Sequence, residues 1–399
     1  MKHKKQIGVF SGIYILSYLA YSLGLTQFVP YLTSLGYSPV ERGILLSSIA
    51  VVTIIVQLIF GYISDKYKTV KKLYIIVLIF FAIATYLFYS LEVKYFIFHL
   101  LLIALSGGFF NLAMGMGDNW ILETNDHMRQ MYSAIRAFGS LGWALGSTLV
   151  AYVINLYGYY GISVTVMFIT VIVLGCCLFL DDASKRYDKN INPVTKADVI
   201  ELCKNKSYLL VVIILFLLTC VNTFNTYTTV DKLIFLGGSN KDVGIMWTIK
   251  GLVEIPMFFA GTLILRKFKA SGILMISAVM FTIQFILFGF ATSINTVIIL
   301  SAMQVVTYPL LLISSKVLID NLSSEFCKST GQLVAMSVYN GVSALIIPYL
   351  SGVLTERVNV NFTLFFAAGL GVVAFLLTFL IKKSRRNSRL GCSGGLSIE

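Results

Sequence analysis

Ionisable and aromatic side chains inside long apolar stretches are the residues of this sequence that could do chemistry. Arg136, Ser140 and Trp143 stand at positions i, i+4 and i+7, so that on a helix they share one face. Lys250 and Glu254 are four residues apart in a second apolar stretch and would be neighbours on a helix. Ionisable side chains within a membrane are costly and commonly functional. These five residues are therefore candidates for ligand or proton binding.

The reactive groups of an enzyme are missing from this sequence. It holds no nucleotide-binding loop, no nucleophile paired with a base and no cluster with metal-ligand spacing. The six cysteines form no C-x-x-C motif. We therefore predict that the protein is not an enzyme and uses neither a cofactor nor a metal.

The elements that carry the candidate residues must cross a membrane. Of the 399 residues, 57% are hydrophobic and 12% are charged, and the mean hydropathy is +0.85. Soluble domains have about 25% charged residues, and transmembrane barrels lack apolar runs of about 20 residues. The composition excludes both classes and predicts an all-α integral membrane protein.

Twelve apolar runs are long enough for a membrane-spanning helix, which needs about 20 residues. They cover residues 8–32, 43–63, 73–91, 95–119, 134–156, 160–180, 207–229, 243–264, 271–291, 295–318, 330–352 and 360–381. The charged stretch 181–206 divides them, which predicts an N-terminal six-helix bundle (1–180), a cytoplasmic loop and a C-terminal six-helix bundle (207–381). Residues 382–399 are basic and then rich in Gly and Ser, and we expect them to form a disordered cytoplasmic tail.

The net charge of +13 is explained by membrane topology and does not indicate a nucleic-acid partner. Most of the 31 Lys and Arg residues lie in loops on the side of the N-terminus. Cytoplasmic loops carry this excess, so both termini are predicted to be cytoplasmic, in a multi-pass protein of the cell membrane that contacts lipid. The first apolar run is too long for a cleaved signal peptide. We expect a monomer that binds a small molecule.

A weak internal repeat relates the two groups of six runs. The second run contains Gly43 and Gly61, and the eighth has Gly244 and Gly261 at corresponding places. Such duplicated bundles are typical of transporters, in which two halves move about a central site. A membrane receptor or enzyme has no reason to show this repeat, and these classes remain the less favoured alternatives.

The loop after the second run resembles a family signature. Gly61, Asp65 and Lys66 stand at the spacing of the G-x-x-x-D-[RK] loop of the major facilitator superfamily. We expect Gly61 to allow a neighbouring helix to approach closely. We expect Asp65 to accept hydrogen bonds at the N-terminus of a neighbouring helix, where the dipole favours an anion. The resemblance implies a twelve-helix fold with a gating loop at these three residues.

A closer resemblance covers nearly the whole chain, to the lactose permease branch of that superfamily, the oligosaccharide:proton symporters. The segment from Arg136 to Leu145 matches the pattern R-x-F-G-x-x-G-W-A-L at every fixed position. In carriers of this branch the Arg pairs with a carboxylate eighteen residues earlier, which is Asp118 here, and the Trp stacks on a sugar ring. The alternative is a structural salt bridge at a helix end.

Other features of the apolar runs have structural interpretations. Gly139, Gly142 and Gly146 form a stripe of small residues that we expect to pack against another helix. A second stripe on the first run is interpreted as packing or as a belt at the membrane interface, with lining of the central cavity as the alternative; its members are Tyr14, Tyr18 and Tyr21. His99 is a lone histidine, which we interpret as a packed residue, with a role in proton transfer as the alternative.

The proton-handling residues of the lactose permease branch are missing from this sequence. By alignment, their positions are occupied by Gln284, Ser301, Gln304, Thr307 and Asn340, and by the uncharged segment 220–226. The proton mechanism of that branch therefore does not carry over. Glu254 is the remaining candidate for proton coupling, with Lys250 one turn earlier, and the alternative is a neutral pair on one helix.

These patterns together predict a secondary active transporter for a small hydroxylated solute, a sugar or a glycoside, that works by alternating access with a proton as candidate co-substrate. The alternative is a permease or exporter of amphipathic or aromatic compounds, because 14% of the residues are aromatic. The predicted substrate-binding residues are Gln57, Asp118, Asn119, Arg136, Ser140, Trp143, Asn222, Asn225 and Asn340.

Overall fold

A computed structural model describes residues 2–183, 204–323 and 328–391, and every regular element in these ranges is helical. Most of the predicted central loop (residues 184–203) lies outside the described residues, as do Cys203, Cys327 and Cys392. The all-α fold predicted from composition is confirmed.

Fourteen α-helices follow one another along the described ranges. They are α1 (Lys2–Leu25), α2 (Phe28–Ser34), α3 (Pro39–Tyr67), α4 (Lys71–Ser90), α5 (Phe96–Thr124), α6 (Asp126–Cys177), α7 (Lys206–Phe235), α8 (Asn240–Lys267), α9 (Ala270–Phe290), α10 (Ile294–Ser301), α11 (Tyr308–Asp320), α12 (Lys328–Met336), α13 (Ser343–Arg357) and α14 (Val360–Gly391). A 3₁₀ segment, Ala302–Val306, precedes α11, and a π-helical segment, Ser337–Val342, joins α12 to α13.

Eleven stretches in the described part of the chain are long and apolar enough to cross a membrane, and one of them has 44 residues. Gly158 interrupts this long stretch within α6 with φ 67° and ψ −169°, a conformation that glycine adopts without a steric penalty. After the kink the chain runs back along α4. Tyr160 contacts Tyr86 near the end of α4, and the Leu180 carbonyl accepts from Lys71 at its start. Because α6 holds the fifth and sixth spans, the twelve-helix fold is confirmed.

The small-residue stripe of α6 packs against α1 as predicted. A Cβ atom on Gly142 would lie 2.1 Å from the carbonyl oxygen of Ile15, and one on Gly146 would lie 2.0 Å from the hydroxyl of Ser22. Neither position can hold a larger side chain while the helices keep this distance. The stripe therefore fixes the position of α6 along α1, and with it the position of Arg136.

The tenth span is broken in the middle. Pro309 lies in the first turn of α11 and has no backbone N–H, so a continuous helix would lose a hydrogen bond and place the proline ring against the preceding turn. The chain instead passes through the 3₁₀ segment before α11 begins. Irregular backbone is tolerated within a membrane where it is buried in protein or lines a cavity, and Gln304 lies in this segment.

The internal repeat is visible in the geometry of the turns that precede α3 and α8. Gly36 and Gly237 both have positive φ, 77° and 82°. Two residues later, Ser38 and Ser239 each form a capping box with an acidic residue three positions on. The members of each pair are separated by the same number of residues. This shared turn, which sequence reasoning missed, supports the duplication inferred from the apolar runs.

The two groups of helices touch closely at the ends that the charge distribution predicts to be extracellular, called the outer face below. A Cβ atom on Gly43 at the start of α3 would lie 2.5 Å from the carbonyl oxygen of Pro348 in α13. One on Gly352 would lie 2.2 Å from the carbonyl oxygen of Pro39. The outer face is therefore closed by backbone-to-backbone packing of α3 on α13.

Two expectations about local structure differ from what is observed. No atom of the described residues lies within 4 Å of a Cβ placed on Gly61, so they make no close approach there, and α3 makes its close contact at Gly43. α14 extends to Gly391, ten residues into the segment for which composition predicts disorder. Residues 382–390 contain no glycine or proline, so nothing in them interrupts the helix that begins at Val360.

Candidate functional site

A cavity of about 430 Å³ lies between the helices of the first half and those of the second half. Its walls come from α1, α3, α5 and α6 on one side and from α7, α8, the 3₁₀ segment and α11 on the other. The charged and indole side chains that line it are Arg136, Trp143, Trp247, Lys250 and Glu254. The stretches in which sequence analysis found candidate chemistry therefore meet in one place.

The first-half wall presents a stacked guanidinium. Arg136 lies over the ring of Tyr18, with its central carbon 4.6 Å from the ring centre, and both residues line the cavity. Asp118 accepts a hydrogen bond of 2.7 Å from the Tyr14 hydroxyl. Among the described residues, no ion pair within 4.0 Å joins Asp118 to Arg136. Tyr132 neighbours both side chains, so the predicted direct pair is replaced by an arrangement with tyrosine between the charges.

An aromatic contact joins the two walls. The ring centres of Trp143 and Trp247 are 6.1 Å apart with planes inclined at 71°, which is an edge-to-face geometry that aromatic pairs favour. The ring centre of Phe110 lies 6.3 Å from that of Trp143. The indole nitrogen of Trp247 is buried and has no hydrogen-bond partner. This part of the cavity therefore offers aromatic faces, while the buried N–H of Trp247 is not presented to it.

In the second-half wall, hydrogen-bonded amide side chains link the two charged residues. Lys250 donates to the backbone carbonyl and to the side-chain oxygen of Asn225, each at 2.9 Å. Asn225 donates from Nδ2 to Gln304 Oε1 at 2.8 Å, and Gln304 donates from Nε2 to Glu254 Oε1 at 2.9 Å. We call Lys250, Asn225, Gln304 and Glu254 the amide relay.

The charged residues at the two ends of the amide relay set the direction of every hydrogen bond in it. A lysine ammonium can only donate, so the Asn225 oxygen faces it and the Asn225 nitrogen faces Gln304. Gln304 must then present its own nitrogen to Glu254, as observed. The direct Lys250–Glu254 pair considered from sequence is not formed within 4.0 Å, because each charge is bound by an amide.

The predicted site residues divide into two groups. Those that line the cavity are Arg136, Ser140, Trp143, Asn222, Asn225, Lys250 and Glu254. Those that do not are Gln57, Asp118, Asn119 and Asn340. Asn340 is exposed within the π-helical segment, and Asn119 and Gln57 are also exposed. Asp118 lies behind the wall, bonded to Tyr14.

Three residues that contact the charged groups of the cavity were not selected as site residues from sequence. Tyr18 belongs to the stripe that was interpreted first as packing, and it lines the cavity under Arg136. Gln304 was interpreted only as the replacement of a proton-handling residue of the lactose permease branch, and Trp247 was given no role. The nearby Pro309 was the available signal for Gln304, since a broken helix in a membrane commonly marks a binding site.

The lone histidine lies in a packed environment. His99 is fully buried, and its Nδ1 lies 2.8 Å from the Tyr37 hydroxyl. Its ring also meets Phe88 and Tyr31 edge-on, away from the cavity. Among the described residues, no group of three His, Cys, Asp or Glu side chains could hold a metal ion.

The predicted gating loop is held by a carboxylate that sequence analysis did not name. Asp182 accepts a hydrogen bond from the Thr69 hydroxyl and from the backbone N–H groups of Val70 and Lys71 at 3.0 and 2.8 Å. Partial burial raises the pKa of Asp182, but these hydrogen bonds outweigh it and lower the pKa below its ordinary value. Asp182 thus binds the N-terminus of α4. The side chain of Asp65 lies outside the described part of the structure, and Lys66 lies 5.6 Å from the Tyr67 ring.

An ion pair joins the two halves at the outer face. Arg42 at the start of α3 binds Asp231 near the end of α7 at 2.5 Å, with both side chains about one-tenth exposed. The same guanidinium donates to the Thr33 hydroxyl at 2.8 Å. Glu356 of α13 accepts from the backbone N–H of Val40 at 2.9 Å. Side chains and backbone therefore close the same face.

Comparisons with known proteins agree on a family and a fold. The MFS_1 like family matches residues 9–367. An uncharacterized transporter, YwbF of Bacillus subtilis (strain 168), is 24% identical over 400 residues, which is 96% of this chain and 95% of YwbF. This match covers both halves of the chain.

Solved structures of transporters are similar in fold. The crystal structure of the nucleoside transporter NupG has a TM-score of 0.79 at 17% identity, covering 94% of this chain and 99% of that one. A POT family transporter in complex with 5-aminolevulinic acid has a TM-score of 0.76 at 12% identity, covering 94% and 95%. At these identities the likeness concerns the fold alone.

Proposed function

Since the chain belongs to the MFS_1 like family, a family of multi-pass membrane transporters, we propose that it is a secondary active transporter of a small hydroxylated solute. The solute is a sugar or a glycoside, and it crosses by alternating access, as in the lactose permease branch. The observation that carries the proposal is the cavity between the two halves, in which Arg136 and Trp143 of the branch pattern both line the wall.

The proposed binding roles follow from the chemistry of the lining residues. Trp143 offers an apolar face on which a sugar ring can stack, and Arg136 offers N–H donors to ring hydroxyls. Asn222 and Ser140 line the same cavity and supply donors and acceptors at its rim. The described chain lines this cavity by itself, which supports a monomer as the working unit.

Glu254 is the proposed proton-coupling residue. It is the carboxylate among the described cavity-lining residues, and a carboxylate can bind and release a proton as the cavity changes sides. Gln304 holds one of its oxygens, and Lys250 lies at the other end of the amide relay. We infer from the charge bias that both termini face the cytoplasm and that protons enter from the opposite side of the cell membrane.

Uptake into vesicles tests this function. The purified protein is reconstituted, and uptake of radiolabelled neutral sugars, glycosides and a nucleoside is measured with and without an imposed proton gradient. We expect at least one hydroxylated solute to accumulate and the gradient to raise its accumulation. Uptake of none of these solutes would contradict the proposal.

Glu254→Gln separates coupling from transport. We expect this variant to lose gradient-driven accumulation while it retains exchange of solute across the membrane, because exchange requires no release of the proton. The matched control is Glu92→Gln, which changes an exposed glutamate outside the cavity and should behave as wild type. Accumulation by Glu254→Gln on a proton gradient would show that Glu254 is not the coupling site.

The aromatic lining favours one alternative solute class. Besides the two tryptophans, Phe28, Phe110, Tyr227 and Tyr308 line the cavity, and such walls also bind amphipathic or aromatic compounds. Competition assays with an aromatic compound that lacks hydroxyl groups distinguish the classes. We expect weak competition for a sugar transporter and strong competition for a permease of aromatic compounds.

A further inference from the structure

Arg136 is a cation in a membrane-spanning helix that has no carboxylate in direct contact. No carboxylate of the described residues lies within 4.0 Å of its guanidinium, and Asp118 is bonded to Tyr14. The guanidinium stacks on Tyr18 through its face, and Tyr132 neighbours it. Its five N–H donors lie in the plane of the group, so the stacking leaves the donors that Tyr132 does not engage available to a ligand in the cavity.

The other cation of the cavity wall is already bonded. The ammonium of Lys250 has two oxygens of Asn225 at 2.9 Å. The indole nitrogen of Trp247 is buried, so this residue presents its ring and not its N–H to the cavity. Arg136 is therefore the cationic donor that a ligand in the cavity can bind.

We propose that the transported solute carries an anionic group, a carboxylate on a hydroxylated ring, and that Arg136 binds this carboxylate. A guanidinium and a carboxylate match in geometry and form two parallel hydrogen bonds. This inference rests on the proposed function, since it narrows the class of hydroxylated solute that the same cavity takes.

Glu254 links binding of the anion to binding of a proton. It is the lining carboxylate that a bound anion meets, and the other titratable groups around it are Arg136, Lys250 and Tyr308. Two negative charges in one cavity of about 430 Å³ repel each other. This repulsion favours the binding of a proton by Glu254 when the anion binds, against the attraction of Arg136 and Lys250.

Two matched ligands test the charge preference. Phenyl β-D-glucuronide carries a carboxylate where phenyl β-D-glucoside carries a hydroxymethyl group. The binding of each ligand to the purified protein is measured by titration calorimetry. We expect the glucuronide to bind at least about tenfold more tightly, about 1.4 kcal/mol. Arg136→Gln should abolish this preference, and Arg136→Lys should keep part of it because the charge remains.

The control is Arg266→Gln, which removes an exposed arginine at the end of α8, outside the cavity, and should keep the full preference. Glu254→Gln should increase the preference, since that variant removes a like charge from the cavity. Equal affinity for the two ligands in wild type, a preference that persists in Arg136→Gln, or binding of neither ligand would overturn the inference. Accumulation of neutral glycosides in vesicles would still support the proposed function, which is thereby tested separately.

Discussion

At the scale of single residues, the aromatic face of Trp143 is the feature most directly tied to binding. We expect Trp143→Phe to bind the transported solute about threefold more weakly, because a smaller π-face remains, and Trp143→Ala about tenfold or more. Trp120→Phe is the control, since Trp120 is buried against Phe10 and donates to the Asp181 carbonyl outside the cavity. Equal affinities for wild type and both Trp143 variants, measured by titration calorimetry, would exclude stacking.

Gln304 gives a second prediction at this scale. Gln304→Leu removes the hydrogen bonds to Asn225 and to Glu254, and leaves both partners incompletely bonded. We expect the initial rate of gradient-driven uptake to fall about tenfold. Gln284→Leu is a matched control, because Gln284 is equally a buried glutamine but bonds only to the Leu300 carbonyl. Similar uptake rates in the two variants would show that the amide relay contributes to packing and not to transport.

The sequence predicts which side chains lie together where they share one helix. It does not predict contacts that depend on another helix. Arg136 and Trp143 fall on one face because the period of a helix fixes their relation. The absence of an Asp118–Arg136 ion pair depends on the Tyr14 hydroxyl, which approaches from a helix far away in the sequence. Spacing within one helix carries no information about such a competitor.

At the scale of elements, helix ends were less predictable than helices. The apolar runs gave the spans because about 20 apolar residues suffice to cross a bilayer. The N-terminus of α4, however, begins at Lys71 after Val70, which supplies no side-chain cap. Asp182 caps it from beyond the sixth span. Only the reversal of the chain at Gly158 brings that carboxylate to α4.

The cap on α4 predicts a pH-dependent contribution to stability. We expect Asp182→Asn to lower the free energy of unfolding by about 1 kcal/mol at pH 7. Because the pKa of Asp182 is lower in the folded protein than its ordinary value, its stabilisation is complete above about pH 4 and is lost as pH falls through the folded pKa. Thermal unfolding in detergent should show a difference between variant and wild type at pH 7 that disappears at the acid end. A difference that is constant with pH would contradict a charged cap.

At the scale of the whole molecule, the halves are in contact at the outer face through groups from both. The backbone of α13 packs on α3 at Gly43 and Gly352. The Arg42–Asp231 ion pair joins α3 to α7 beside this contact. For a transporter that works by alternating access, these contacts must break when the cavity opens outward. The glycines allow a close contact that contains no interlocking side chains and can separate as a unit.

Gly352→Ala tests whether this contact sets the balance between the two orientations of the cavity. The added Cβ atom would lie 2.2 Å from the Pro39 carbonyl oxygen, and overpacking of this kind costs about 1–3 kcal/mol. Because that cost falls only on the state with a closed outer face, we expect a shift of about tenfold toward an open one. Electron–electron distance measurements between spin labels at Val93 and Lys241, exposed positions in the two halves, should show a longer distance in the variant. Gly369→Ala is the control, because a Cβ atom there meets nothing within 4 Å, and its distances should match wild type. Unchanged distances in Gly352→Ala would mean that α3 and α13 adjust locally, and that closure of the outer face depends on the ion pair instead.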